Sequence, residues 1–248
     1  MFDFFTKKNF LVDYLDGFTD IHNHILPGID DGAKNVEESL DLIKGMGELG
    51  ITDFICTPHI MENYYPNTPE TIKTSLALLK NSVQMNNLDT VRVRAAAEHM
   101  IDSNFENIVE ENKLMPLANR YLLVEMSYLQ ASLNFDVAIE KIKSKGYFPI
   151  FAHPERYAYL HANLNKYKEY KGNNVLFQLN MLSLGGYYGK NVQRKAHELL
   201  KLNMIDFIAS DVHNLNQLKH LKDIKISPSE LHLIAPIIER TSDTFLQK

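Results

Sequence analysis

Cysteine is nearly missing from this chain: Cys56 stands alone among 248 residues. One thiol excludes an internal disulfide framework and a thiolate zinc site. It also excludes cysteine-phosphatase chemistry, which needs an arginine six residues after the nucleophile to complete a phosphate-cradling loop; Glu62 stands there. Cys56 therefore reads as a small strand residue of the core. No apolar run reaches the ~18 to 20 residues needed to cross a bilayer. The N-terminal phenylalanines are interrupted by Lys7 and Lys8 and then met by Asp13 and Asp16, so no secretory apolar segment develops. A cytoplasmic protein without membrane insertion is expected. The 26 Lys and Arg residues form no block, and against 31 Asp and Glu they leave a net charge of −5. Nothing asks for nucleic acid. Ser/Gly/Pro linkers, low-complexity stretches and close internal repeats are missing too, which argues for one domain. What is present is an ordinary globular composition, 45% hydrophobic and 23% charged, with 10 histidines. Any bound metal must be held by nitrogen and oxygen.

Short apolar runs rich in branched or aromatic residues alternate with segments of helical period, the pattern of repeated βα units. Seven strands are predicted, over 19–25, 53–57, 91–97, 121–125, 148–152, 175–179 and 205–210. Between the first two, Val36, Leu40, Ile43 and Gly47 share a helix face behind Asn35 and Glu38 as a capping pair. A second helix is predicted from Thr68 as cap and Pro69 in the first turn, with Ile72, Leu76, Leu79 and Val83 as its apolar stripe. Further helices are expected over 134–145, closed by Gly146, over 191–202, and over 229–240, the last interrupted at Pro236. The expected organisation is an N-terminal lead, residues 1–18, and a single domain over 19–248. A closed or nearly closed parallel barrel is favoured over a doubly wound open sheet.

In a parallel βα barrel the working side chains project from the carboxyl ends of the strands. The first predicted strand carries Asp20, His22 and His24, the second runs into His59, and the third into Glu98. The fourth closes with Glu125, the fifth with His153, Pro154, Glu155 and Arg156, and the seventh with Asp211 and His213. Only the sixth, followed by Asn180, lacks a strong ligand. Residues i and i+2 of a strand point the same way, so His22 and His24 can reach one ion, and Asp211 and His213 repeat that logic. The turn over 27–32 adds Asp31, although paired Asp before Gly is also ordinary turn chemistry. A lone histidine is usually a hydrogen-bonded core residue, and His99, His161, His197, His220 and His232 are read that way. Six converging strand ends with this many ionisable groups would cost on the order of several kcal/mol per unpaired charge to bury. Divalent cations remove the difficulty. Mixed imidazole and carboxylate donors suit manganese, iron or zinc better than magnesium or calcium. The loop over 185–189, Gly-Gly-Tyr-Tyr-Gly, is expected to border the mouth. Tyr64, Tyr65 and Tyr128 follow strand ends and could flank a substrate ring, Tyr128 above all, but among 12 tyrosines packing is the ordinary role.

These phrases resemble the polymerase-and-histidinol-phosphatase (PHP) superfamily. From about residue 20 to 245 the chain is most similar to the bacterial manganese-dependent protein-tyrosine phosphatases of capsule and exopolysaccharide loci. The specific part is HNHILPGIDDG over 22–32 and AHPER over 152–156. The resemblance implies an α/β fold, a distorted TIM-like (β/α)7 barrel, with three metal ions at its mouth. His22, His24, Glu98 and Asp211 would hold the first, Glu98, Glu125 and His153 the second, and Asp31, His59 and His213 the third. Arg156 would grip the substrate phosphate with its planar guanidinium. The family's second phosphate-binding arginine has no counterpart, since the chain reads HNLNQLK over 213–219; Lys219 is the candidate substitute. The implied substrate is a phosphotyrosine protein, such as the tyrosine-rich tail of a bacterial kinase controlling polysaccharide export.

Metals ~3.5 to 4 Å apart could hold a hydroxide, polarise the phosphoryl oxygens and stabilise the leaving oxygen. Attack by a metal-bound hydroxide, without a phosphoenzyme, is the expected chemistry. The rivals are a small-molecule phosphomonoesterase such as a histidinol-phosphate phosphatase, a metal-dependent amidohydrolase, and a metal-stabilised binding module without catalysis.

Overall fold

Residues 9–246 are described by the structure, a computed structural model. Two parallel sheets position the site. One orders six strands, Phe207–Ala209, Leu176–Asn180, Phe148–Ala152, Tyr121–Glu125, Glu98–Met100 and His59–Ile60; the other orders Thr19–Asp20, Asp53–Cys56 and Arg92–Ala95. Segments 53–60 and 92–100 each run from one sheet into the other, held side by side across the change by Ala96 N–H to Cys56 O at 2.8 Å and Glu98 N–H to Pro58 O at 3.1 Å. A parallel bridge joins Asn23 to Val212, flanked by Asp211 N–H to His22 O at 2.8 Å and His24 N–H to Val212 O at 3.0 Å. The segment after the first predicted strand's Asp20 thus meets the segment that follows the seventh.

The fourth and fifth predicted strands match the observed bounds, and the sixth is displaced by one residue. The first and seventh are shorter than expected. The second and third are present as Asp53–Cys56 and Arg92–Ala95, and each resumes beyond its predicted end in a second short piece. The break has a chemical cause, since Pro58 has no N–H to give, so the ladder lapses there and resumes in the other sheet at His59. Along Tyr121–Glu125, Tyr121 and Leu123 pack with Ile21, Ile55, Ile150, Phe207 and Phe245, whereas Leu122 and Val124 belong to the larger core with Phe135 and Ile139. Period two carries the first row onward to Glu125.

The helix Val36–Gly47 opens as expected, with Asn35 Oδ1 accepting from Glu38 N–H at 2.9 Å. Pro69–Met85 opens on a reciprocal box between Thr68 and Thr71. The expected helices over 134–145 and 191–202 are present as Phe135–Ser144 and Lys190–Lys201. The final helix, Pro228–Phe245, is longer than predicted and is not interrupted at Pro236. Buried Ile234 on one side of the proline and Ile237, Ile238, Thr241 and Phe245 on the other hold both halves to the core, which offsets the lost backbone bond. Phe105–Glu110, Leu164–Gly172, Met181–Leu184 and Leu215–Lys222 are helices the periodicity did not announce.

Part of the expected N-terminal lead is integral. Asn9–Phe10 pairs antiparallel with Lys225–Ile226, and Leu11 and Leu15 are fully buried. The rest of that lead, residues 1–8, lies outside the described residues. Among the described residues no helix is long and apolar enough to cross a membrane.

Candidate metal centre

The strand ends bring imidazoles and carboxylates together. His22 Nε2 lies 3.2 Å from Glu98 Oε2 and 3.3 Å from Asp211 Oδ1. His24 Nε2 stands 3.4 Å from the same Asp211 oxygen and 3.3 Å from His22 Nε2. His153 Nε2 approaches Glu98 Oε1 at 2.9 Å, and His59 Nδ1 lies 3.0 Å from Glu98 Oε2 and 2.8 Å from Glu125 Oε1. Asp31 Oδ1 is 3.4 Å from His59 Nε2 and 3.7 Å from His213 Nε2. All the ligand candidates of the sequence therefore meet, in four overlapping groups: His24, Asp31, His59 and His213; His22, His24 and Asp211; His22, Glu98 and His153; His59, Glu98 and Glu125. The grouping differs from the family-based partition: His24 also joins Asp31, His59 and His213, and Glu98 is not grouped with His22, His24 and Asp211. His59 approaches Glu98 and Glu125 as well as Asp31, and His22 rather than Glu125 joins Glu98 beside His153.

His59 Nδ1, Glu98 Oε2 and both Glu125 oxygens are buried without an aligned hydrogen bond, even though His59 and Glu125 stand only 2.8 Å apart. Proximity without alignment is a poor arrangement for hydrogen bonding and a good one for donors aimed at shared cations. The residues fit divalent ions with mixed nitrogen and oxygen shells. Burial opposes the charged form of every group here. For Glu98 and Asp211 the neighbouring imidazoles, His22 first, outweigh burial and hold the carboxyls well below their usual range. For His22 the carboxylates of Glu98 and Asp211 outweigh burial and raise the ring. Glu125 goes the other way, raised by burial and by the Glu98 charge. His153 and His213 are pushed down to about 4, by burial first and then by Arg156 and His24 respectively. Both rings are therefore neutral and able to ligate at pH 7.

The outward nitrogens of two of these rings are held. His22 Nδ1 is 2.8 Å from Gln178 Oε1, and the Gln178 amide donates to Leu179 O at 2.7 Å, which fixes its oxygen toward the ring. His24 Nδ1 is 2.7 Å from Asp30 Oδ2, and Asp30 also accepts from the backbone of Gly32 and His59. Each ring then turns Nε2 inward. Asp20 ties the first strand to the last by accepting from Ser210 N–H at 3.0 Å and Ser210 Oγ at 2.6 Å. His153 and Asp211 adopt left-handed backbone, φ 34° and 51°, a strained conformation for such residues and one that recurs at functional sites.

Gln178 and Asp30 were missed by sequence reasoning. Gln178 lies on a strand read as lacking a ligand, and its place two residues before Asn180, on the same strand face, is the signal that would have found it. Asp30 adjoins Asp31, and only side-chain direction separates the buried partner of His24 from its half-exposed neighbour. Arg156 Nη1 donates to Asp211 Oδ2 at 2.8 Å, and Asn180 Nδ2 donates to the same oxygen at 2.7 Å. Tyr128 Oη lies 3.2 Å from His153 Nε2, beside the cluster. Tyr65 stacks on His59, while Tyr64 is exposed. Lys219 stands exposed on Leu215–Lys222 and makes no hydrogen bond or ion pair with the cluster among the described residues. His99 is a core residue, its Nδ1 3.1 Å from Leu123 O and its Nε2 accepting from Met115 N–H. Cys56 is buried, and burial, with Asp20 and Asp30, raises its thiol far above the usual range.

Residues 18–223, a span that includes every one of these site residues, match the family model described as capsular polysaccharide synthesis, CpsB/CapC. The chain belongs to the CpsB/CapC family. Among the relatives of this CpsB/CapC chain, CapC of Staphylococcus aureus is 33% identical over 198 residues, 79% of this chain and 77% of CapC. The tyrosine-protein phosphatase YwqE of Bacillus subtilis (strain 168) is 28% identical over 197 residues, 79% of this chain and 77% of YwqE. The tyrosine-protein phosphatase CpsB of Streptococcus pneumoniae is 27% identical over 204 residues, 79% of this chain and 83% of CpsB. A chain from the crystal structures of YwqE from Bacillus subtilis and CpsB from Streptococcus pneumoniae, described as unique metal-dependent tyrosine phosphatases, superposes with a TM-score of 0.80. It is 24% identical, and the match covers 92% of this chain and 94% of that chain, a likeness of fold.

Proposed function

We propose that this chain is a metal-dependent protein-tyrosine phosphatase. The carrying observation is the convergence of His22, His24, Asp31, His59, Glu98, Glu125, His153, Asp211 and His213 beside the largely buried Arg156. The curated phosphatase relatives support the substrate class. We read the two sheets as arcs of one distorted (β/α)7 barrel, and residues 19–248 as its single domain, because the Asn23–Val212 bridge links the first strand segment to the last. The nine ligands suit three ions, manganese first and iron or zinc next. Bound, such ions supply an activated water and polarise the phosphoryl oxygens.

The protein's own groups do the rest. Gln178 and Asp30 hold the first two imidazoles in the tautomer that presents Nε2. Asp211 divides its oxygens, Oδ1 toward the imidazoles and Oδ2 toward Arg156 and Asn180. Arg156 keeps its other N–H groups for phosphate oxygens. Tyr128 lies against Arg156 and leaves part of its ring exposed, which suits an aryl phosphate on a peptide. A phenolate leaves with little help from a general acid. The tail of a polysaccharide-export tyrosine kinase is the partner this reading favours, in the cytoplasm.

The test compares turnover of a phosphotyrosyl peptide and of histidinol phosphate by the manganese-loaded protein, with and without chelator. Preference for the peptide and loss on chelation are expected. Preference for histidinol phosphate, turnover indifferent to chelator, or fewer than two metals at saturation overturns the reading.

A further inference from the structure

We propose that Tyr188 is a positioning residue: its ring fixes the plane of the Arg156 guanidinium and so sets how tightly the site holds a phosphoryl group. The inference rests on the reading of Arg156 as the phosphate-binding cation. Arg156 Cζ lies 4.0 Å from the centroid of the Tyr188 ring and 4.5 Å from that of Tyr128. Tyr188 is in turn fixed, because its hydroxyl accepts from Asn180 Nδ2 at 3.1 Å. That same amide nitrogen donates to Asp211 Oδ2, which also receives Arg156 Nη1. Arg156, Tyr188, Asn180 and Asp211 therefore close a ring of contacts. Tyr187 packs edge-on against both Tyr188, at 5.0 Å, and His220, at 4.9 Å, and anchors the loop that carries them. Gly186 and Gly189, at φ 77° and 94°, allow the chain to make that loop.

An arginine side chain carries about 2 kcal/mol of rotamer entropy, so an unrestrained guanidinium loses much of its grip in ordering itself on binding. Contact between a planar cation and an aromatic face is attractive and orients the plane. With Nη1 committed to Asp211 and one face against Tyr188, the remaining in-plane N–H groups are left to meet phosphate oxygens edge-on. Among the described residues no other arginine bonds to the cluster: Arg92 and Arg94 pair with Asp53, Arg120 donates to Lys145 O, Arg194 to Asn191 Oδ1, and Arg240 to the Ile205 and Asp206 carbonyls. Phosphate grip then depends on the alignment of one side chain.

The experiment uses the manganese-loaded full chain with Tyr188→Leu and Tyr188→Phe, and reads three quantities: kinetics on p-nitrophenyl phosphate, inorganic phosphate binding by calorimetry, and metal content by mass spectrometry. For Tyr188→Leu, KM and the phosphate Kd should each rise about tenfold, the equivalent of ~1.4 kcal/mol, while kcat changes less than about threefold and metal content is unchanged. Tyr188→Phe keeps the ring over Arg156, still packed by Tyr187, and gives up only the Asn180 bond, so it should bring both constants back to within about threefold of wild type. In an Arg156→Ala background the Leu substitution should add nothing. Unchanged KM and phosphate Kd, loss of metal, or failure of Phe to rescue overturns the proposal. Should the Leu variant not fold, Tyr188→Met takes its place with the same outcomes. If the wild-type protein turns over no phosphate ester, the enzymatic reading fails, whereas calorimetry with inorganic phosphate still decides the role of Tyr188; a wild type that binds no phosphate overturns it.

Discussion

At the scale of single residues, the groups that hold a ligand matter as much as the ligand. Gln178 has no charge and no metal-binding chemistry of its own here, yet it fixes His22 through a 2.8 Å contact. Gln178→Leu should lower metal affinity about 10- to 100-fold while leaving the fold intact, measured by manganese titration and circular dichroism. Glu155 offers a pH test. Its Oε1 accepts from Asn180 N–H at 3.0 Å and Ser183 Oγ at 2.7 Å, Oε2 is buried without a partner, and burial raises the carboxyl to about 7 from 4.5. A folded-state pKa above the unfolded one means that the native protein keeps a proton the unfolded chain has released. The stabilisation is full below 4.5 and is lost as pH rises through 7. Glu155→Gln keeps the Oε1 acceptor and removes the titration. Relative to wild type it should gain about 3 kcal/mol of stability between pH 4.5 and pH 8, read by urea unfolding.

At the scale of elements, the turn after the first strand is tighter than its composition suggests. A Cβ on Gly32 would collide with the carbonyl oxygen and Cβ of His24, so the glycine is required by close approach of two backbones. Gly32→Ala should displace His24 and cut metal affinity at least about tenfold, with a smaller effect on the melting temperature; metal content after dialysis checks it. The elements also show where local signals suffice. The caps at Asn35 and Thr68 were legible because capping is a matter of neighbours three residues apart. The continuity of Pro228–Phe245 through Pro236 was not, because residues far away in sequence bury both halves. The broken second and third strands follow the same division: Pro58 marks the break locally, but only the partner strand decides where pairing resumes.

At the scale of the whole molecule, the candidate metal centre lies beside the bridge that joins Asn23 to Val212, so the proposed ion binding would be linked to fold stability. Chelation should lower the melting temperature and manganese should restore it. At a hundredfold excess over Kd the gain is about 2.7 kcal/mol, which corresponds to ~5 to 10 °C for a chain of this length, read by scanning calorimetry. No shift on chelation would separate the ions from the fold. The sequence by itself determined the chemistry: which nitrogen and oxygen donors stand at which strand ends, that the thiol route is closed at Glu62, and that the second arginine is missing. Period-two geometry and motif spacing are local, so one chain of letters suffices for them. Only the tertiary structure decided which donors share an oxygen, that Asp30 rather than Asp31 holds His24, that Gln178 stands behind His22, and that Tyr188 lies over Arg156. Those contacts join residues far apart in sequence, His22 with Gln178 across 156 positions and His22 with Asp211 across more. Their geometry exists only once the sheets have brought the strand ends near His22 and Asp211 together.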